Sequence, residues 1–158
     1  AEGRVDGAVV NYLETILGEQ AVPLLHATLQ DRALTEDGDK MALSAAILKH
    51  VGTNPESDAH FKEVLLNQEI GPFRFLALAN LTGGDQSEDT LRNRQKLISE
   101  IQAESDDEAL DRMLDRSHNR IEVILDPSKA EELGGNRGAD FQNILQGLFN
   151  QGQTPNKK

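Results

Sequence analysis

The stretch SDDEALDRMLDRSHNRIEVIL, residues 105–125, decides the fold because its apolar residues recur at helical spacing along its whole length. At about 100° per residue, Leu110, Leu114 and Ile121 fall on one face. The first four residues match a capping box, in which Ser105 accepts a hydrogen bond from the third amide and Glu108 reaches back. The stretch therefore predicts one long amphipathic helix.

An alternative is open at the end of this stretch. Apolar Ile121, Val123 and Leu125 occupy alternate positions, and alternation is the pattern of a half-buried β-strand. We therefore keep a short strand over Ile121–Leu125 as the alternative to a helix that continues through these residues.

Helical spacing of apolar residues also extends outward in both directions, and alternation is nearly absent elsewhere. The sequence predicts an all-α fold, an irregular compact bundle of about seven to nine helices. The expected inner positions of the other helices are Val5, Val9, Leu13, Ile16 and Leu17; Leu24, Leu25, Thr28 and Leu29; Met41, Ala45, Ile47, Leu48 and Val51; Phe61, Val64, Leu65 and Leu66; Phe73, Phe75, Leu76, Leu78 and Leu81; Leu91, Leu97, Ile98 and Ile101; and Phe141, Ile144, Leu145, Leu148 and Phe149.

Local signals predict where several helices begin and end. Gly18 stands where a C-cap would end the first helix, and Thr35 can cap the third. Asn54-Pro55 is a start signal, and Gly71-Pro72 breaks the chain. We expect the residues after this break, Phe73–Leu81, to form a central helix that is buried on most sides.

The length of 158 residues fits one domain with a core of its own. We expect a single helical domain over residues 1–152 and a disordered tail over 153–158. The first residue is Ala1 rather than Met, which fits either a fragment of a longer protein or a mature chain.

Charge and composition exclude several classes of function. The net charge of −11 disfavours nucleic acid as a partner, because phosphate binding needs a basic surface. The absence of cysteine removes disulfide scaffolds, thiolate metal sites and cysteine nucleophiles. With no tryptophan and one tyrosine, the chain is short of the side chains that line cofactor pockets, so we expect no cofactor.

The sequence carries no apolar run long enough for a membrane span and no signal-peptide pattern at its start. These observations predict a soluble chain located in the cytoplasm. A secreted or periplasmic mature chain is the alternative, since such chains can also lack cysteine.

The arginines of residues 105–125 are the candidate partner-binding residues. Arg112, Arg116 and Arg120 are four residues apart, so they lie along one side of the predicted helix, where guanidinium groups can bind an acidic or phosphorylated protein. The competing interpretation is a solvated face with ion pairs, because Glu108 stands four residues before Arg112. We expect a protein-protein interaction or regulatory module that docks a charged helix face or groove on another protein.

One alternative is a more specific form of this hypothesis, a second belongs to another functional class, and a third is self-association. Helical domains can regulate nucleotide-switch proteins, as activators or exchange-type factors, by presenting an arginine, and Arg74 beside the chain break is a further candidate for this contact. A metal-independent hydrolase or lyase would use carboxylates and a histidine such as His60. No pair of Glu-x-x-His motifs is present, so no metal site is expected.

Overall fold

The computed structural model describes residues 6–31 and 37–133, and in these residues every regular element is helical. This confirms the all-α prediction. The α-helices are α1 (Gly7–Leu17), α2 (Val22–Gln30), α3 (Asp37–Leu48), α4 (Pro55–Leu66), α5 (Glu88–Glu104), α6 (Glu108–Leu125) and α7 (Ala130–Leu133), and the 3-10 helices are Gly18–Ala21, Gln68–Leu81 and Pro127–Lys129.

Some expectations lie outside the described residues, and one alternative is wrong. The cap at Thr35, the helix over residues 141–149 and the tail over residues 153–158 fall in the part that is not described. The alternative strand over Ile121–Leu125 does not form, because these residues continue α6 to its end. In the described part of the chain, no helix is long and apolar enough to cross a membrane.

Local caps account for several helix boundaries. Asp6 accepts a hydrogen bond from the amide of Ala8 at the start of α1, and α1 ends at Gly18, as predicted. Asn54 accepts hydrogen bonds from the first amides of α4, which confirms the start signal at Asn54-Pro55. These short polar side chains satisfy amides that have no partner inside the helix.

The buried apolar residues form two clusters that meet at α3. The N-terminal core joins α1, α2 and α3, and it consists of Val10, Ala21, Val22, Leu25, Leu43, Ala46 and Ile47. The C-terminal core joins the end of α3 to the elements that follow it, and it consists of Leu48, Val51, Phe61, Leu65, Phe75, Ala77, Leu78, Leu81, Leu91, Leu97, Ile98, Ile101, Leu110, Met113, Leu114 and Ile121. One helix therefore contributes residues to both cores.

The predicted inner face of α1 is wrong, and that of α3 is wrong in part. Val10 is the buried residue of α1, whereas Val9 and Ile16 are exposed. On α3, Met41 is 70% exposed and Ala45 is also exposed, whereas Ile47 and Leu48 are buried as predicted. Both helices carry apolar residues on more than one side, so periodicity alone allows more than one inner face.

The predicted central helix differs in type, and one of its rows is exposed. Gln68–Leu81 is 3-10 rather than α, and it consists of two helices that meet at a kink at Gly71, where φ is +70°, which confirms the predicted break. In a 3-10 helix, residues three apart lie on the same side. Phe75, Leu78 and Leu81 form one buried row and Arg74 and Ala77 form a second, whereas Phe73 and Leu76 form an exposed row. Two of the three rows are buried, so the expectation that this segment is buried on most sides is confirmed, and the row of Phe73 and Leu76 is the exception.

Arg94 of α5 joins two loops from inside the protein. Its side chain is 1% exposed, Nε donates to the carbonyl of Val51 at 2.8 Å, and Nη1 donates to the carbonyls of Leu81 and Gly83 at 3.2 and 3.0 Å. Burial lowers the pKa of Arg94, while the charges of Asp85 and Asp58 oppose this shift. These bonds fix the α3–α4 turn and the loop before α5 to one helix.

Candidate protein-binding surface

The N-terminus of α6 is fixed by Asp107. Its Oδ1 accepts hydrogen bonds from the amides of Ala109 and Leu110 at 2.8 and 3.2 Å. The predicted capping box is therefore displaced: Asp107 is the N-cap, and the Ser105 hydroxyl instead accepts from the Asp107 amide at 3.0 Å. The helix begins two residues later than the box implied because Asp107 can satisfy two amides at once.

Arg74 holds this N-cap from the interior. Only 6% of Arg74 is exposed; Nη1 donates to the carbonyl of Leu65 at 2.8 Å, and Nη2 donates to the Asp107 carboxylate. The guanidinium also lies 4.8 Å from the centre of the Phe75 ring. Sequence reasoning places Arg74 at a partner surface, whereas the structure places it between the end of α4 and the start of α6.

The environment of Asp107 favours its charged form. Burial opposes ionisation, but the amides of Leu110 and Ala109 and the charge of Arg74 outweigh burial, so the pKa of Asp107 lies below its ordinary value. A charged N-cap is also favoured by the dipole of α6. The start of the arginine-bearing helix is thus held by a charge pair as well as by backbone hydrogen bonds.

The acidic side of α6 faces α5 and the turn after α6. Asp115 accepts a hydrogen bond from Gln102 at 2.7 Å, and Glu122 accepts from Lys129 and Gln95, each at 2.5 Å. The hydrogen bonds from Lys129 and Gln95 lower the pKa of Glu122. These carboxylates therefore accept hydrogen bonds from neighbouring elements.

The three predicted arginines share an exposed side of α6. Arg112, Arg116 and Arg120 are all exposed, and Arg112 donates from Nε to the backbone carbonyl of Glu108 at 3.1 Å. Within residues 6–31 and 37–133, no ion pair joins Arg112 or Arg120 to a carboxylate. The expected side-chain pair between Glu108 and Arg112 does not form.

Sequence reasoning missed the residues that set the orientation of this surface. Gln95 and Gln102 are seven residues apart on α5, so they lie on the same face, and each binds a carboxylate of α6. That spacing is visible in the sequence and indicates that the two glutamines share one face of α5. The pairing of Arg74 with Asp107 gave no such signal, because 33 residues separate the two.

His60, the candidate of the hydrolase alternative, lies inside the protein. It is 7% exposed, and Nε2 lies 2.8 Å from the hydroxyl of Ser44 on α3. The ring centroid is 5.9 Å from that of His26, and Nδ1 is 3.9 Å from the Glu63 carboxylate. Burial lowers the pKa of His60. A hydroxyl and an imidazole are thus paired, as nucleophilic catalysis requires.

A surface cavity of about 440 Å³ lies elsewhere, where α1 faces the loop before α5. Its walls include Glu14, Lys49, His50 and Asp85. Lys49 donates to Glu14 at 2.8 Å, and His50 Nε2 is 3.5 Å from the same carboxylate. Neither His60 nor Ser44 lines this cavity. In the described ranges, no group of three acidic or histidine side chains is placed to hold a metal ion.

No protein-family model, no curated protein and no solved structure matches this chain.

Proposed function

We propose that this chain is a protein-interaction module whose docking surface is the arginine strip of α6, defined as Arg112, Arg116 and Arg120. The observation that carries the proposal is the division of α6 into two charged sides. Its acidic side is bonded to α5 and to Lys129, whereas Arg112 and Arg120 form no ion pair with a carboxylate of the described residues. The guanidinium groups of Arg112 and Arg120 are therefore available to carboxylates of another molecule, and Arg116 lies between them on the same exposed side.

The chemistry of the strip favours an acidic or phosphorylated protein segment. A guanidinium presents several donors in one plane and binds a carboxylate or phosphate through two hydrogen bonds. Four residues of helix advance by about 6 Å, so the three guanidinium groups of the strip follow one another along the helix. A segment with acidic groups at a similar spacing would match it.

The net charge of −11 limits how such a partner is bound. At physiological ionic strength, interactions between exposed charges fade beyond about 8 Å, so repulsion by the distant acidic groups is largely screened. Binding then depends on short contacts with the strip itself. We expect the affinity to fall as salt is raised, because these contacts are ionic.

The test combines partner capture from lysate with a charge-reversed variant that carries Arg112→Glu, Arg116→Glu and Arg120→Glu. The control carries Lys62→Glu, Arg92→Glu and Lys96→Glu, which change the net charge equally at exposed or half-buried cations of α4 and α5. Both variants are first checked for helical content by circular dichroism.

We expect a partner that the unmodified chain and the control capture and the α6 variant loses. With the purified partner, calorimetry should give about 100-fold weaker binding for the α6 variant, since each exposed pair contributes about 0.2–1 kcal/mol and reversal adds repulsion. Equal capture by all three proteins, or loss with the control as well, would refute the proposal.

A further inference from the structure

His60 of α4 lies where three helices meet. Its imidazole is 7% exposed, and Nε2 lies 2.8 Å from the hydroxyl of Ser44 on α3. The ring also meets the ring of His26 on α2 edge to face, with the centroids 5.9 Å apart. Through this side chain, α4 contacts two of the three helices that form the N-terminal core.

The His60 ring has a hydrogen-bond partner for one of its two nitrogens. Nδ1 is buried and makes no hydrogen bond with the described residues. A protonated imidazole donates from both nitrogens, whereas a neutral one donates from one. Protonation therefore leaves the Nδ1 donor unsatisfied, whichever nitrogen carried the first proton, and it adds a charge where water has little access.

The groups that face His60 do not compensate a charge on the ring. On its own helix, the Glu63 carboxylate lies 3.9 Å from Nδ1, and the Glu63 side chain is 74% exposed, so solvent screens its charge. On α2, a protonated His26 would repel a protonated His60, and Glu56 of α4 lies 3.9 Å from Nδ1 of His26. On α3, the facing group is the uncharged hydroxyl of Ser44. Burial has the largest effect on the pKa of His60 and lowers it, while Glu63 opposes this shift and His26 adds to it.

We infer that acidification separates the N-terminal helices from α4 through protonation of His60, and that this exposes the N-terminal core while the C-terminal core stays closed. Once separated, the imidazole is hydrated, so a charge on it no longer carries the cost of burial. The closed contact therefore binds the proton more weakly than the separated form does. It should be stable above pH 6.5, the ordinary pKa of histidine, and weaken as the pH falls below that value.

Other contacts keep α4 attached to the C-terminal part of the protein when His60 is charged. Phe61 and Leu65 of α4 are fully buried in the C-terminal core. The turn before α4 is held by Arg94 of α5, which donates to the carbonyl of Val51. None of these contacts uses a histidine. The arginine strip of α6 takes no part in the His60 contact either, so failure of docking at α6 leaves the pH response standing, and the reverse also holds.

The test uses a single introduced thiol as a probe of one site, because the chain has no cysteine. Ala21→Cys places the thiol in the N-terminal core, and Ala77→Cys is the matched probe in the C-terminal core. The rate of thiol modification is measured from about pH 7.5 to about pH 5, the range in which histidine titrates. Dividing each rate by the rate for the same variant unfolded in urea at the same pH gives the open fraction of each site.

We expect the open fraction at Ala21→Cys to rise by up to about tenfold for each pH unit below about 6.5, which is the limit for one bound proton. The open fraction at Ala77→Cys should stay constant. In the Ala21→Cys chain, His60→Gln removes the titrating ring and should abolish the rise, whereas the control His118→Gln, on α6, should retain it. NMR titration of the unmodified chain should give His60 a midpoint below 6.5, and it decides the case if the His60→Gln variant is open at every pH.

Four results would overturn the inference. They are an open fraction at Ala21→Cys that does not change with pH, an equal rise at Ala77→Cys, a rise that His60→Gln leaves unchanged, and a midpoint for His60 at or above 6.5.

Discussion

Replacement of Gly52 by alanine should destabilise the protein strongly because Gly52 lies against Arg94. Gly52 has a φ of +89°, and a Cβ built on it would lie 2.8 Å from Cγ of Arg94 and 2.9 Å from the carbonyl oxygen of Thr90. The Thr90 oxygen belongs to the backbone of α5, so it cannot move aside alone. The added methyl group must therefore displace Arg94, α5 or the turn itself.

The expected cost has two parts. Backbone strain at a positive φ costs about 1–3 kcal/mol for a residue with a side chain. Displacing Arg94 weakens its hydrogen bonds to three carbonyls, and a hydrogen bond of a charged group contributes about 1.5–3 kcal/mol. We expect Gly52→Ala to lower the free energy of unfolding by at least about 3 kcal/mol, which is a large part of the roughly 5–15 kcal/mol available to a domain.

Alanine substitutions at two further glycines distinguish the cost of backbone strain from the cost of steric crowding. Gly18 has a φ of +54° but no atom within 4 Å of a built Cβ, so Gly18→Ala should lower the free energy of unfolding only by the cost of backbone strain. Gly38, at the exposed start of α3, has neither feature, and Gly38→Ala should stabilise by up to about 1 kcal/mol. Urea unfolding followed by circular dichroism measures all three variants. If Gly52→Ala cost no more than Gly18→Ala, the close approach to Arg94 would not constrain the fold.

Other contacts give three further predictions. Burial lowers the pKa of His60, so the imidazole binds a proton more readily in the unfolded chain than in the folded one; the contribution of His60 to stability should be present above pH 6.5 and be lost as the pH falls below it. In urea titrations, His60→Gln should flatten the dependence of the unfolding free energy on pH, and an unchanged dependence would contradict the assignment. Asp107→Ala should lower the free energy of unfolding by about 3 kcal/mol or more, since it removes the α6 cap and leaves Arg74 buried without its carboxylate. Calorimetric unfolding measures this loss, and a loss below about 1 kcal/mol would refute the role of the pair. Phe61→Ala should lower the free energy of unfolding by about 3–5 kcal/mol, whereas Phe73→Ala should lower it much less, because Phe61 is buried and Phe73 is exposed. Similar losses for the two variants in urea unfolding would contradict the observed exposure.

The sequence predicted most helices because their signals are local. Asn54 with Pro55, and Gly18 after an apolar stripe, act on the chain within a few residues, so their effect is visible without the fold. The long helix over residues 108–125 was also predictable, since its apolar positions keep one face throughout. These features depend on capping and periodicity alone.

The inner face of α1 and the start of that of α3 were not predictable in the same way. Val9 and Val10 are neighbours that point about 100° apart, and each can belong to an apolar stripe. Which one is buried depends on how α1 packs against α3, and that is decided by the whole N-terminal core. The 3-10 geometry of residues 68–81 likewise changes the period from about 3.6 to about 3 residues, which moves Phe73 and Leu76 to the outside.

For the candidate binding surface, spacing predicted the shared side of Arg112, Arg116 and Arg120, and all three are exposed. It did not predict that the acidic groups of α6 bond to α5, because this depends on glutamines of another helix. Nor did it predict the burial of Arg74, whose carboxylate partner is distant in sequence. Whether the strip binds a protein stays a prediction until the partner capture is done.

The division of the interior into two cores implies that the N-terminal and C-terminal parts of the described chain unfold locally at different free energies. The N-terminal core has no aromatic residue among its buried members in the described ranges, whereas the C-terminal core contains two phenylalanines and several long aliphatic residues. Less buried apolar area means a lower free energy of local opening, so amide hydrogens of α1 and α2 should exchange with solvent before those of α5 and α6. The N-terminal helices and the helix proposed for docking would then belong to separate cooperative units, so α1 and α2 can unfold locally while the docking surface on α6 persists.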